Sequence, residues 1–472
     1  MTTRLFAQAR QTTILNALVA FILLACSTAL RAEAEVSETD LRAARAHWLA
    51  ADAIAWAVPA DTSVRLHYSA AAALRSGPGG IAGGMALDLA HDGVVDGSLA
   101  TRFPHLAGLP LFRLHPDDLD RVPAILKSQF VVGATRGGEL LAATALQPAG
   151  VLDDLFAFTG ELGTTFAEGV PRFRLWAPTA RSVTLLLFDD AIPSSAPVHA
   201  LPMAFDAGSG TWSLNGHADW NGKYFLFEVE VFVRRTGRIE RNRVTDPYSL
   251  GLSTDSRRSL IVDVADSDLA PPGWSEVEKP ALDAPEDIVL YELHVRDFSI
   301  HDASVPPAHR GTFAAFAEPE SNGVRHLRRL AAAGLTHVHL LPAFDCATIP
   351  EDPADRLAPP DLNPFAADAP RQQAEIDRVR AQDGFNWCYD PFHYTVPEGS
   401  YATRPDGGTR IREFRTMVQA LNGMGLRVVM DVVYNHTTSS GQAANSVLDR
   451  IVPDYYQRLD AAGDVETSTC CA

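Results

Sequence analysis

Three short stretches decide the reading of the C-terminal part of the chain: Ile288-Val-Leu-Tyr-Glu-Leu-His-Val295, Thr336-His-Val-His-Leu-Leu341 and Arg427-Val-Val-Met-Asp-Val-Val433. The first is a nearly continuous apolar run, the pattern of a strand covered on both faces. Between the first and second, Ser321 can cap a helix carrying Val324, Leu327, Leu330 and Ala331, which Gly334 stops. Between the second and third, Ile411, Phe414, Val418 and Leu421 mark another amphipathic helix, ended by Gly423 and Gly425. The β–α–β–α–β order predicts a parallel sheet with right-handed crossovers.

The connection from Pro342 to Arg410 is far longer than an ordinary βα loop of roughly 2–6 residues. Its first half, through Ala381, is rich in Pro and Asp. Its second half, Phe385-Asn-Trp-Cys-Tyr-Asp-Pro391, is dense in aromatic and polar groups. Loops of this kind lie over the C-terminal mouth of parallel α/β barrels, where ligands bind.

Upstream, the pattern from Pro171 to about Trp274 is all-β. Arg172 to Trp176, Val183 to Phe188, Trp212 to Leu214 and Lys223 to Val233 read as strands, the last with clear period-two alternation. Short strands at this spacing suggest a sandwich. Its Trp and Tyr side chains could stack on sugar rings, but such aromatics more often belong to a core. A Pro-rich linker with Pro271, Pro272, Pro280 and Pro285 separates it from the parallel region. Residues 38 to about 160 mix strands with one helical pattern. Leu41, Ala44, Trp48 and Ala51 recur at helical spacing, Val64, Leu66 and Tyr68 alternate, and Thr135-Arg-Gly-Gly138 reads as a hairpin turn.

The whole chain has 472 residues, with 40 Lys+Arg against 58 Asp+Glu and a formal charge of -18. That length predicts several domains, and the 46% hydrophobic content is that of a globular protein. The acidic balance argues against nucleic acid, or an anionic lipid surface, as the main partner. Nothing in the sequence sets the oligomeric state.

The N-terminus reads as a targeting segment. Arg4 and Arg10 precede an apolar stretch, Ile14 to Ala25, too short to span a bilayer. Two processing routes fit. Leu23-Leu-Ala-Cys26 resembles a lipoprotein signal that would lipidate Cys26 and anchor the protein, whereas Ala32-Glu-Ala34 suits ordinary cleavage. Either route exports the protein to the periplasm, the outer membrane or the exterior. Of the five cysteines, Cys346, Cys388, Cys470 and Cys471 could form disulfides there. Cys470 and Cys471 could form a vicinal disulfide or remain two thiols.

The residues with chemistry cluster at the end of the third strand. In Asp431-Val-Val-Tyr-Asn-His436, alternation puts Asp431, Val433 and Asn435 on one side and Val432 and Tyr434 on the other. A carboxylate in an apolar strand needs a partner. That need is met by an ion pair, or by a functional group at the mouth of a barrel. The segment resembles the first shared motif of the α-amylase superfamily, glycoside hydrolase family 13. Phe385-Asn-Trp-Cys-Tyr-Asp-Pro391 resembles the Tyr-Asn-Trp-Gly-Tyr-Asp-Pro signature of type I pullulanases. Tyr291-Glu-Leu-His-Val-Arg-Asp-Phe-Ser299 and Asp246-Pro-Tyr-Ser-Leu-Gly251 match that subgroup as well. The departures are Phe385 for Tyr and Cys388 for Gly, the second placing a side chain where the family has none.

The resemblance implies a fold and an activity. It divides the chain into a signal peptide over 1–34, an accessory pullulanase domain over 35–165, a carbohydrate-binding-module-48-like β-sandwich over 166–274, and the first three strands of an α/β (TIM-type) barrel over 286–472. It implies hydrolysis, with retention, of α-1,6 bonds in pullulan, amylopectin or glycogen limit dextrins. Trp387, Tyr389, Asp390 and His436 would bind substrate, Tyr389 by stacking on a sugar ring and His436 by hydrogen-bonding a hydroxyl. Asp431 would orient a neighbouring Arg, and Asn435 matches a position that ligates calcium. In this family the nucleophilic Asp, the acid Glu and a third Asp follow later strands, beyond residue 472. The sequence is therefore expected to be the N-terminal part of a longer enzyme and inactive alone. Two other readings stay open: another debranching or branching member of the superfamily, and a non-catalytic surface protein that binds glucan.

Overall fold

The computed structural model describes residues 39–77 and 79–466. The targeting segment with Cys26, and the Cys470–Cys471 pair, lie outside the described residues. The chain forms two compact units. One holds the residues up to Ala157 together with 232–239 and 457–466; the other holds 158–231 and 240–456.

The first unit is built on a β-sheet. Its strands are β1 (Thr39–Asp40), β2 (Ala46–Ala50), β3 (Ala53–Ala55), β4 (Ser63–Ser69), β5 (Met85–Val94), β6 (Pro110–Leu114), β7 (Gln129–Arg136) and β8 (Glu139–Gln147). They lie in the order β1-β8-β2-β3-β6-β5-β4-β7, and β7 pairs back with β8. The β7–β8 hairpin turns at Gly137 and Gly138, both with positive φ (60° and 90°), as a two-residue turn between right-twisted strands requires. In β4, Val64, Leu66 and Tyr68 point into the core as their alternation predicts.

The helical reading of Leu41 to Ala51 does not hold. Residues Ala46–Ala50 form β2, paired in parallel with β8 and antiparallel with β3. Ala44, Ala46 and Trp48 also satisfy a period of two, and all three are buried. A sheet partner on each side meets the backbone hydrogen-bonding demand that a helix would have met internally. Tertiary pairing decided between two periods that the sequence left degenerate.

The second unit opens with a β-sandwich. One sheet runs β9 (Gly163–Ala167), β10 (Val170–Trp176), β14 (Thr211–Asn215), β13 (Ala204–Asp206); the other runs β12 (His199–Pro202), β11 (Ala180–Phe188), β15 (Tyr224–Val233), β16 (Arg238–Val244). The sheets meet where Phe173 of β10 packs edge-on against Phe225 of β15, with ring centroids 5.0 Å apart. Trp176, Trp212, Trp220 and Tyr224 are all buried, so these aromatics are core.

Next comes a three-stranded parallel sheet, β18 (Leu290–Leu293), β19 (His337–Leu340), β22 (Arg427–Met430) (β17 is the short strand Ser259–Leu260). The crossovers carry α1 (Asn322–Ala332) and α3 (Thr409–Gly423), as the apolar spacing predicts. Ser321 Oγ accepts the Val324 amide at 3.2 Å and caps α1, and Gly334 beyond its end has a φ of 107°. Leu327, Met417 and Leu421 from the two helices join Leu293, Val338, Leu340, Phe313 and Phe316 in one core cluster.

Two expectations for this sheet are corrected. Ile288, Val289 and Leu290 are exposed, at 41%, 51% and 53%, instead of covered on both faces. The first strand is an edge of a narrow sheet, and of its apolar run mainly Leu293 and Val295 reach the core. The third strand ends at Met430, short of Val433. The long connection has structure of its own: α2 (Pro370–Asp377) and an antiparallel pair of β20 (Phe344–Cys346) with β21 (Pro391–Pro397). The described architecture is a β-rich multidomain fold.

Candidate functional site

The segments singled out by sequence come together at the C-terminal end of β22. Beyond Met430 the chain continues extended enough that Val433 is buried while Val432 and Tyr434 stand exposed. Asp431 is half-buried, not deep in the strand, and its Oδ2 accepts a 2.5 Å hydrogen bond from the Tyr389 hydroxyl. Burial first, and the Asp431 carboxylate second, raise the Tyr389 phenol above its ordinary range, so the hydroxyl remains a donor. His436 Nε2 donates to the Tyr389 backbone carbonyl at 2.6 Å. Its Nδ1 is buried with no hydrogen-bond partner among the described residues. The ring therefore braces Tyr389, and offering Nε2 to a sugar hydroxyl would mean giving up that carbonyl.

Tyr389 and Trp387 both leave aromatic surface open, at 38% and 55% exposure, while Cys388 between them is fully buried. This in–out alternation displays two rings from one loop. Asp390 faces the other way: its Oδ2 accepts from the Thr348 hydroxyl and its backbone carbonyl from the Ala347 amide. It is a loop anchor, and no local pattern marks Thr348, 42 residues away, as its partner. Asn386 is fixed on three sides. Its carbonyl accepts from His294 Nε2 at 2.9 Å, its Oδ1 from the Cys388 amide, and its Nδ2 donates to Thr348. The Tyr401 hydroxyl lies 2.8 Å from the same His294 nitrogen. His294 sits in a stretch noted above for its resemblance, but its contact to Asn386, 92 residues away, is a tertiary fact.

Behind the loop lies a buried charge network that the sequence reading missed. Arg410 is fully buried, with Nη2 2.8 Å from Glu351 Oε2 and Nη1 3.5 Å from Asp345 Oδ1. Asp345 also takes His393 Nδ1 at 2.7 Å and the Ser256 hydroxyl at 2.6 Å. His393 Nε2 lies 2.7 Å from the Thr245 hydroxyl. Glu398 accepts the amides of Cys346 and Ser400. Three carboxyl groups thus share one guanidinium and one imidazole in a dry interior. Burial raises Glu351 to about 8 and Glu398 to about 7, Arg410 opposing the rise in both.

A pH dependence follows. The folded-state values lie above the ordinary 4.5, so the folded protein keeps protons that the unfolded chain releases. The stability this gives is fully present below about pH 4.5 and is lost as pH rises through about 7 to 8. Thermal melts between about pH 6 and 9 should show the wild type losing Tm, relative to Glu351→Gln, as pH rises. A difference that stays flat or reverses would refute the assignment.

Asn435 is exposed beyond the end of β22. Calcium takes about 6–8 oxygens, of which the Asn435 amide would supply one. Asp345, Glu351 and Glu398 do lie close together, but amide, guanidinium, imidazole and hydroxyl donors already occupy them.

Comparison with known proteins supplies the relatives. Residues 43–154 match the pullulanase N2 domain, and residues 161–249 match carbohydrate-binding module 48 (isoamylase N-terminal domain). The chain is 40% identical to pullulanase 1, chloroplastic, of Arabidopsis thaliana, over 90% of its own length and 45% of the relative's. It is 38% identical to the pullulanase of Klebsiella pneumoniae, covering 94% of itself and 44% of that protein. Two crystal structures of the Klebsiella pneumoniae enzyme, one apo and one complexed with maltotriose, superpose with a TM-score of 0.85 at 37% and 36% identity, over 91% and 92% of the chain. The chain spans about half the length, or slightly less, of the relatives it matches. With both N-terminal domain types in order and this likeness along nearly its whole length, the chain is a homologue of pullulanases that carries a pullulanase N2 domain and a carbohydrate-binding module 48.

Proposed function

We propose that this chain forms the substrate-gripping N-terminal part of an α-glucan debranching hydrolase of glycoside hydrolase family 13, acting on α-1,6 bonds of pullulan, amylopectin or glycogen limit dextrins. The observation that carries the reading is the exposed Tyr389 ring, held by Asp431 and His436 at the C-terminal end of a parallel strand, with Trp387 displayed beside it. An aromatic face with fixed orientation suits the apolar CH face of a glucose ring, and edge carboxylates and amides suit its hydroxyls. The likeness to a pullulanase solved with maltotriose supports the same ligand class.

In this reading β18, β19 and β22 open an α/β barrel. Retention requires a nucleophilic carboxylate and an acid/base roughly 5–5.5 Å apart. No described residue is assigned to either role. The reading also includes export through the segment 1–34, with Cys26 lipidated or removed. The internal Cys346–Cys388 disulfide supports an oxidising compartment.

The test is mobility of the purified chain in gels with and without amylopectin, beside Tyr389→Ala and Tyr389→Phe. Wild type should be retarded. Tyr389→Ala should lose up to about tenfold in affinity, the worth of one aromatic stacking contact. Tyr389→Phe, which keeps the ring, should lose less. Equal retardation of wild type and Tyr389→Ala would remove the site from the proposal.

A further inference from the structure

Cys388 occupies a backbone conformation that residues with side chains avoid. Its φ is +59°, in the left-handed region where glycine is at ease. It is also the position at which the loop departs from the glycine of the signature it resembles. The residue is fully buried, its amide bonds the Asn386 side chain, and its sulfur is joined to Cys346, 42 residues away, with Cα atoms 5.2 Å apart. Cys346 is the last residue of β20, and its amide donates to buried Glu398 at 2.8 Å. One end of the bond therefore sits in the rigid charge network, and the other immediately precedes Tyr389.

We propose that the Cys346–Cys388 disulfide is a positioning staple for Tyr389, doing covalently what glycine does conformationally: it fixes the left-handed turn that aims the Tyr389 ring outward and its hydroxyl at Asp431. Tyr389 is the binding group of the function proposed above, and the staple rests on that reading only for its effect on glucan. Both sulfurs are buried, Cys346 at 4% and Cys388 at 0% exposure, so the bond is a structural clamp that a reductant reaches only when the loop opens. Reduction by an added dithiol would pass two electrons and two protons to the cysteine sulfurs and leave the reagent as its cyclic disulfide.

Two double variants of the full chain separate the roles. Cys346→Ala with Cys388→Gly removes the bond but restores a residue suited to positive φ; Cys346→Ala with Cys388→Ala removes the bond and keeps a side chain. The left-handed penalty on a non-glycine residue predicts about a tenfold loss of amylopectin affinity in the Ala variant, and at least as large a rise in exchange of the 386–389 amides. The Gly variant should recover both towards wild type. Should the Ala variant fail to fold, wild type treated with dithiol supplies the unstapled loop, and its amides 386–389 should lose protection as thiols become titratable. An Ala variant, or reduced wild type, with wild-type protection overturns the staple, as does a Gly variant no better than Ala. If amylopectin retards none of the proteins while protection follows the predicted order, the staple stands and the glucan reading falls.

Discussion

At about pH 9, where Glu351 and Glu398 are ionised, Arg410→Met should cost about 3–5 kcal/mol of stability, because it strips the guanidinium from a fully buried site. Glu351 would lose its 2.8 Å partner and keep only amide donors, from Asp255 and Gly399. Asp345 would keep His393 and Ser256. Met fills much of the arginine's volume, so packing loss contributes little, and the penalty is that of an uncompensated charge. Urea denaturation at about pH 9, repeated at about pH 5, checks it. The loss should shrink on acidification, since protonated carboxyls need no counter-charge. The double variant Arg410→Met with Glu351→Leu should recover part of the loss, as apolar replacement of both members of a buried pair often does. A loss below about 1 kcal/mol would mean that Arg410 is not the electrostatic centre of this interior.

Trp48→Ala should cost the first unit about 3–5 kcal/mol by opening a cavity in its sheet core. Trp48 is fully buried, and its ring stands edge-on to Phe130 with centroids 5.5 Å apart. The neighbouring backbone cannot collapse far to fill the gap. A Cβ on Gly150 would already sit 2.8 Å from the Trp48 carbonyl and from Leu49 Cα, which shows how closely the helix Ala149–Phe156 packs there. The indole nitrogen has no hydrogen-bond partner among the described residues, so Trp48→Phe should lose clearly less than Trp48→Ala. Chemical denaturation followed by near-ultraviolet circular dichroism measures both. Equal losses in the two variants would show that ring volume is not what Trp48 contributes.

The same residue shows where sequence reasoning fails. Leu41, Ala44, Trp48 and Ala51 fit a helix as well as Ala44, Ala46 and Trp48 fit a strand, and small alanines carry little information about either. The strands β8 and β3, contributed from elsewhere in the chain, settled it. Asp431 is a related case. Its chemistry argued for a partner and its position argued for a strand end, but Tyr389, 42 residues upstream, could be identified as that partner only in three dimensions.

What local physics controls is legible in the chain. The Ser321-capped helix, the glycine stops, the alternating sandwich strand and the Gly137-Gly138 turn each follow from spacings within about a dozen residues, and the β–α–β–α–β order follows from stringing such segments together. The tertiary structure alone decided the Cys346–Cys388 pairing, the Arg410 network, the bracing of Tyr389 by His436 and the exposed edge at Leu290. Each of these joins residues tens of positions apart, or depends on how many strands a sheet has. Such contacts exist only once the loop-closure entropy has been overcome by packing, and no periodicity in the chain records which closures win.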